Sequence, residues 1–330
     1  MKILRQVTVP TGDILVVEGE KGSLECLSLG DYGKGVNVKC DALGLSRDLQ
    51  KVEHTQLLPL EQKWVITIST QYGCSMGCKF CDVPKVGPGI NASNDDLVNQ
   101  VATAMSLHPE VEKGRINLHY ARMGEPTWNT AVLSATRCLR NGLGDDFEFH
   151  PVVSTMMPKK NPMLKRFLND WMVLKNEDLH GNAGLQISMN STSDAEREEM
   201  FNGNSLDLIN IAILMNSIPR PVGRKITLNF AVAGFEIDPD RLLPLFNPDY
   251  YLIKLTPMHR TVEALSNGIE TAGDYTEYHP YQVYEENLKA AGYDALVFIA
   301  SKEEDEGLIT CGNAILSGSM PTVSYQEVSI

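Results

Sequence analysis

The chain has 330 residues, 29 basic against 42 acidic for a formal charge of −13, and 43% of it is hydrophobic. That apolar share at that length builds one large α/β domain, or a medium domain with a small appendage, and excludes both a disulfide-stapled mini-protein and a disordered chain. The longest apolar runs, such as 209–215, fall far short of the roughly 18–20 residues a bilayer helix needs, and no apolar stretch follows Lys2 and Arg5, so the expectation is a cytoplasmic protein.

Residues 14–18 and 24–29 read as strands separated by Gly19 and Gly22, and 36–40 alternates after the Gly33-Lys34-Gly35 turn. Residues 1–60 are therefore expected to form a small β-rich element that pairs with or caps a larger sheet. From residue 64 strands and helices alternate. Strands are predicted at 64–70, 116–121, 147–154, 185–189, 225–232, 250–255 and 295–300. Helices are predicted at 95–106, 130–140, 163–169, 195–201, 241–245 and 281–291, with Asn94 and Asp194 placed to cap two of them. Such alternation implies parallel βαβ units. No Gly-x-Gly-x-x-Gly follows a strand, which favours an α/β fold of the partial (β/α)6 barrel type over a doubly wound sheet. The barrel is expected to occupy 61–330, with its chemistry at the C-terminal ends of the strands. Residues 261–330 hold two basic residues, Lys289 and Lys302, and twelve acidic ones, including the run 303–306. Such a face is solvated, and it repels a phosphate backbone.

Three of the seven cysteines, Cys74, Cys78 and Cys81, fall within eight residues in the spacing C-x3-C-x2-C. Gly73 and Gly77 let that loop fold tightly enough for three thiolates to face one point. In a reducing compartment such a cluster reads as metal ligation before disulfides. A structural zinc site needs four ligands, and no fourth Cys or His lies near; His54 and His108 are distant and isolated. A [4Fe–4S] cluster held by three thiolates instead keeps one iron open for a ligand. The pattern leaves a structural metal site open but favours the cluster.

The triplet after a barrel strand resembles the radical SAM signature. That resemblance implies a [4Fe–4S] cluster whose open iron chelates S-adenosylmethionine, and an electron donor such as flavodoxin or ferredoxin. It extends further. Ser69-Thr70-Gln71-Tyr72-Gly73-Cys74 through Phe80-Cys81 resembles the S-x-Q-x-G-C-x3-C-x-F-C segment of the RlmN/Cfr methylases, which methylate RNA adenosine at C2 or C8. Met123-Gly124-Glu125-Pro126 resembles their M-G-E-P motif, and Thr310-Cys311-Gly312-Asn313 their Ala-Cys-Gly-Gln segment. Strand ends at Ser154, at Ser188-Met189-Asn190 and at Pro257-Met258-His259 fall in the same order over residues 64–316. The resemblance implies that Gly124, Glu125, Ser154, Ser188, Met189, Asn190 and His259 contact S-adenosylmethionine. It implies that Cys311 carries the methyl group, with Glu53 as the acidic proton acceptor, and that RNA is the substrate.

The sequence also departs from that family. Thr67 stands seven positions before Cys74, where the family keeps the cysteine that resolves its protein–substrate adduct; Cys26, Cys40 and Cys138 are the substitutes to consider. Asn190 stands where a His is usual and His259 where an Asn is usual. About 60 β-rich residues precede Trp64 in place of a helical accessory domain. These departures favour, as the alternative, an enzyme acting on a small molecule or a protein without that methylation cycle.

Overall fold

The computed structural model describes residues 1–31, 58–271, 278–300 and 302–328. Glu53, His54, Cys40 and the strand expected at 36–40 lie outside the described residues.

The chain opens with a meander of three antiparallel strands, β1 (Ile3–Val9), β2 (Gly12–Gly19) and β3 (Gly22–Leu29). β3 then pairs antiparallel with β4 (Trp64–Ile68). The N-terminal element is thus continuous with the main sheet. In β2 the run Ile14 to Val17 is buried at every position because both faces are covered. Leu15 and Val17 join the main core, while Ile14 and Val16 join a second one with Ile309 and Ile315.

A short hairpin, β5 (Gln71–Gly73) with β6 (Pro88–Asn91), encloses the cysteine loop. The chain continues through α1 (Asn94–Met105), β7 (Gly114–Tyr120), α2 (Ala131–Leu143), β8 (Phe147–Thr155), α3 (Leu164–Val173), β9 (Gly184–Ser188), α4 (Asp194–Met200), α5 (Leu208–Asn216) and β10 (Ile226–Val232). It ends with α6 (Pro239–Leu242), β11 (Tyr251–Pro257), α7 (Val262–Ser266), α8 (His279–Ala290), β12 (Asp294–Val297), α9 (Lys302–Glu306) and β13 (Gln326–Val328). β13 returns to pair antiparallel with β1 at the far edge.

The sheet order is β12-β11-β10-β9-β8-β7-β4-β3-β2-β1-β13. From β4 through β12 neighbouring strands are parallel, as expected of βαβ units. Two caps differ from expectation. Ser93, not Asn94, caps α1 through a capping box with Asp96, and Ser193, not Asp194, caps α4. In each case the serine takes extended backbone while the next residue already winds into the helix. Strands β1 and β13 and helices α5, α7 and α9 were not marked by the sequence pattern.

Period-2 alternation sorts the parallel strands into two faces. Leu185, Ile187, Leu228, Phe230, Ile253 and Leu255 join the main core. Their neighbours Gln186, Ser188, Asn229 and Lys254 line the inner cavity, with Ser154 from β8. Ser154 is in register with Gln186, Ser188 with Asn229, and Asn229 with Lys254, so these polar side chains form a tier around the inside.

One buried ion pair ties the two ends of the chain to this barrel. Glu25 of β3 is fully buried and Arg122, just past β7, is 3% exposed. Arg122 Nε donates to Glu25 Oε1 at 2.7 Å, and Arg122 Nη1 donates to the Leu308 carbonyl at 2.9 Å. The Glu25 carboxylate also accepts from the backbone N–H groups of Ile315, at 3.3 Å, and Leu316, at 3.1 Å. Replacing Glu25 by Ala strands a buried guanidinium and two amides, so Glu25→Ala is expected to cost about 3–5 kcal/mol. The double variant Glu25→Leu/Arg122→Met should recover much of that loss. Urea unfolding of the three proteins measures both; an unchanged midpoint for Glu25→Ala would contradict the assignment.

Candidate active site

The cysteine loop owes its shape to its glycines and to anchors outside it. Cys74 N–H donates to the Gly87 carbonyl at 3.0 Å and closes the loop. Gly73 has φ +79°, and a Cβ there would lie 2.2 Å from the Gly87 oxygen, so no other residue fits. Asn204 Nδ2 donates to the Met76 carbonyl at 2.8 Å, and Lys79 N–H to the Met200 carbonyl at 2.9 Å. Beyond Cys81, buried Asp82 accepts from the first backbone N–H groups of α7, Val262 and Glu263, each at 3.0 Å. Asp82 N–H in turn donates to the Gly312 carbonyl at 2.9 Å. The residue after the last loop cysteine is therefore bonded to the residue after Cys311.

Cys74, Cys78, Cys81 and Cys311 line one cavity of about 1030 Å³, measured out to its open mouth, together with Gly124, Glu125, Ser154, Ser188, Asn190 and His259. Burial pushes the thiol of Cys74 up to about 11 and that of Cys81 up to about 12, and raises Cys78 as well. The other cysteines add to this: Cys81 and Cys74 both raise Cys78, and Cys74 raises Cys81. Three thiols this close in apolar surroundings ionise only with a cation among them. The donor set, three thiols at one end of an open cavity, fits a three-thiolate iron–sulfur cluster.

The other expected residues are placed as follows. Gly124 has φ +94°, and a Cβ would lie 2.5 Å from Gln71 Cβ, so the backbone passes where no side chain fits. Gln71 Oε1 accepts from Glu125 N–H at 2.9 Å, while its Nε2 donates to the Gly89 carbonyl and Asn91 Oδ1. The Gln of the cysteine motif thus fixes the Gly-Glu turn. Burial raises the Glu125 carboxyl, against hydrogen bonds from the Thr127 hydroxyl and N–H and the Met156 N–H. The Thr155 hydroxyl lowers it as well, so the carboxyl is held from several sides where it lines the cavity.

Asn190 takes a left-handed backbone, φ +61°, which Asn tolerates, and its Oδ1 accepts from Ala231 N–H. His259 Nδ1 lies 3.2 Å from Asp305 Oδ1. Burial opposes the charge on Asp305, but His259, Arg260 N–H and the Thr310 hydroxyl outweigh it and lower its carboxyl. Met189 departs from expectation. Its side chain is fully buried in the main core rather than in the cavity, because the strand alternation that turns Ser188 inward turns Met189 outward.

Cys311 is exposed at the mouth. Its concave surroundings desolvate it and raise its thiol, while Lys254 and Arg122 pull the other way. Of the substitutes for Thr67, Cys26 and Cys138 do not reach it, and Cys40 lies outside the described residues. Cys26 Sγ points to the Gln100 carbonyl of α1 at 3.8 Å, with its thiol pushed up to about 12, and Cys138 is exposed on α2. Sequence reasoning missed Arg122, Asn229 and Lys254. Lys254 did carry a signal, a lone lysine inside the apolar strand Tyr-Leu-Ile-Lys-Leu.

The fold is similar to a radical SAM methyltransferase from Sphaerobacter thermophilus, with a TM-score of 0.64 and 18% identity, covering 94% of this chain and 80% of that one. That likeness is one of fold, a parallel α/β sheet with helices between its strands. The sequence is 28% identical over 262 residues to the dual-specificity RNA methyltransferase RlmN of Sorangium cellulosum, covering 78% of this chain and 62% of that protein. It is 33% identical over 143 residues to the same-named protein of Nautilia profundicola, covering 43% of this chain and 37% of the relative. The chain spans less than two thirds of the length of either protein. No family model matches it.

Two outcomes test the site. Removing one thiol leaves one iron without its protein ligand, so Cys78→Ala, reconstituted anaerobically, should lose most of the iron and visible absorption of the wild type. Unchanged iron content would remove the cluster from this loop. Independently, burial and then Lys254, Arg224 and Lys63 push His119 down to about 3. Its folded form is neutral while an unfolded His binds a proton near 6.5, so stability is lost as pH falls from about 6.5 towards 3. His119→Asn should flatten that limb of the stability profile in chemical unfolding; an unchanged slope would show His119 to be ordinary.

Proposed function

We propose that this chain is a radical SAM methyltransferase in which Cys311 receives the methyl group before it is passed to substrate. The observation that carries this reading is the shared cavity. Cys311 lines the same cavity as the three loop thiols, and Asp82 N–H bonded to the Gly312 carbonyl holds its segment against the cysteine loop. Cys74, Cys78 and Cys81 would hold a [4Fe–4S] cluster. Gly124, Glu125, Ser154, Ser188, Asn190 and His259 would bind S-adenosylmethionine. When bound, these groups supply one-electron cleavage to a carbon radical and an electrophilic methyl.

The chain's own contribution is positioning and charge. Glu125 offers a buried carboxylate for an ammonium, a charge-assisted contact in a dry site. Lys254 and Arg122 are the two cations that favour the Cys311 thiolate, the form that accepts a methyl. Glu53 is assigned the proton-acceptor role on resemblance. The reductant is assigned to a flavodoxin- or ferredoxin-type donor. No described helix is long and apolar enough to cross a membrane, and we place the protein in the cytoplasm.

RNA is the substrate class that the relatives' names carry. A second reading, methylation of a different acceptor, is favoured by one observation. Among the described residues the cavity holds no cysteine beyond the loop triplet and Cys311, so an adduct with Cys311 lacks a local thiol to release it. The test is anaerobic incubation of the reconstituted enzyme with methyl-deuterated S-adenosylmethionine, then peptide mass spectrometry. A trideuteromethyl group on the Cys311 peptide is expected, and Cys311→Ser should abolish it. An unmodified Cys311 in cluster-replete enzyme would sink the methyl-carrier role. Adding rRNA or tRNA and digesting to nucleosides decides the acceptor: catalytic 2- or 8-methyladenosine selects RNA.

A further inference from the structure

Lys254 stands on the cavity wall with no counter-charge. It comes from the interior face of β11, and its recorded contact is with the ring of Phe298, 4.8 Å from Nζ. Among the described residues no carboxylate lies within ion-pair distance of it. The charged groups that act on it from below, Lys63 and Arg224, are both positive, and Lys63 is itself paired with Asp31. The nearby group of opposite sign is the thiolate form of Cys311. Beside Lys254, in register on β10, Asn229 has its Oδ1 buried without a partner. Gln186, two strands away, makes only a long contact of 3.4 Å to Ser154 Oγ. A cation in a partly dry cavity with no partner is unfavourable unless a ligand completes it.

We propose that the cavity recognises its substrate through a carboxylate held by Lys254, beside the Cys311 sulfur. This rests on the reading of Cys311 as the methyl carrier. The charge count selects the group: one ammonium flanked by neutral amides matches a single negative charge, where a phosphate draws several cations or a run of amides. The rim agrees. α9, which ends five residues before Cys311, is built of Lys-Glu-Glu-Asp-Glu, and its Asp305 lies 3.2 Å from His259 of the cavity, so the surroundings disfavour a polyanion while the wall accepts one charge. The substrate class is a small carboxylic acid, or a molecule that projects one carboxylate into the cavity.

The test uses reagent charge at Cys311. Iodoacetate and iodoacetamide alkylate the same sulfur, but only the first carries a carboxylate next to the reacting carbon. Reconstituted enzyme is treated with each reagent, and the rate at Cys311 is read by peptide mass spectrometry. Any change in the thiol's acidity affects both rates alike, so their ratio isolates recognition of the carboxylate. The iodoacetate-to-iodoacetamide ratio should be about tenfold higher in the wild type than in Lys254→Gln, the effect of one unit charge at contact range in a partly wet site. Lys254→Arg should keep the wild-type ratio within about twofold. Equal ratios in wild type and Lys254→Gln would overturn the proposal. So would a wild-type preference that disappears on saturation with S-adenosylhomocysteine, because Lys254 would then serve the carboxylate of the nucleoside ligand. Methylation of Cys311 is read separately in the same protein, so failure of the methyl-carrier role is distinguishable from failure of the carboxylate site.

Discussion

The Glu25–Arg122 pair is the constraint on which the site's geometry depends. Burying two charges costs several kcal/mol for each ion, and mutual attraction offsets this only where the remaining donors and acceptors are also satisfied. Here they are. The guanidinium bonds the Leu308 carbonyl as well as the carboxylate, and the carboxylate takes the amides of Ile315 and Leu316. Those backbone partners flank Cys311 on both sides. The pair therefore does more than join β3 to the end of β7. It fixes both ends of the short segment that carries Cys311, while Asp82 fixes its middle from the cysteine loop. An apolar pair of equal volume could match the packing, but it would not specify where the segment lies.

That same pair sets the electrostatics of the mouth. Cys311 is desolvated, which holds it as a thiol, and Arg122 and Lys254 are the cations that oppose this. Arg122 is already committed to Glu25, so its field at the sulfur is partly cancelled. Lys254 is not committed, so its effect on Cys311 depends on what else enters the cavity. A substrate carboxylate on Lys254 would reduce the thiolate's support, which suits an order in which Cys311 is methylated before substrate binds. The loop thiolates beside the Cys311 segment repel one another in the absence of a cation. The cavity thus has an end that calls for positive charge and a wall that offers it.

Much of the fold was legible because it is periodic. The spacing of Leu97, Val98, Val101 and Met105 on α1, and the apolar strands followed by helices, required only local information. The cysteine triplet and the Met-Gly-Glu-Pro turn were legible because they are contiguous. The edge strand β13 was not, because its pairing with β1 joins residues more than 300 apart in sequence and its side chains are exposed. Nor was the Glu25–Arg122 pair, whose members are 97 residues apart and carry no local signal that links them. Met189 was misread for a different reason. It adjoins two cavity residues in sequence, but a strand sends neighbours to opposite faces, and adjacency in a motif does not give adjacency in a site.

The same alternation decides the question of the second thiol. On β3, Leu24 and Cys26 pack into the main core beneath α1, while Leu27 and Leu29 face the smaller core beside the C-terminal segment. Glu25 shares the second face, where it meets Arg122. On β4, Trp64, Ile66 and Ile68 face the main core, so Val65 and Thr67 face the other way, and Thr67 is paired in register with Leu27. Thr67 therefore looks to the side of the sheet where Cys311 is held, and Cys26 looks away from it. Moving Cys26 to that side would require a one-residue slip of β3, which would drive Glu25 into the main core and expose Leu27 and Leu29 to the wrong neighbours. The position that geometry offers for a resolving thiol is thus occupied by a hydroxyl, and Cys26, on the neighbouring strand, is kept from it by the ion pair that holds Cys311 in place.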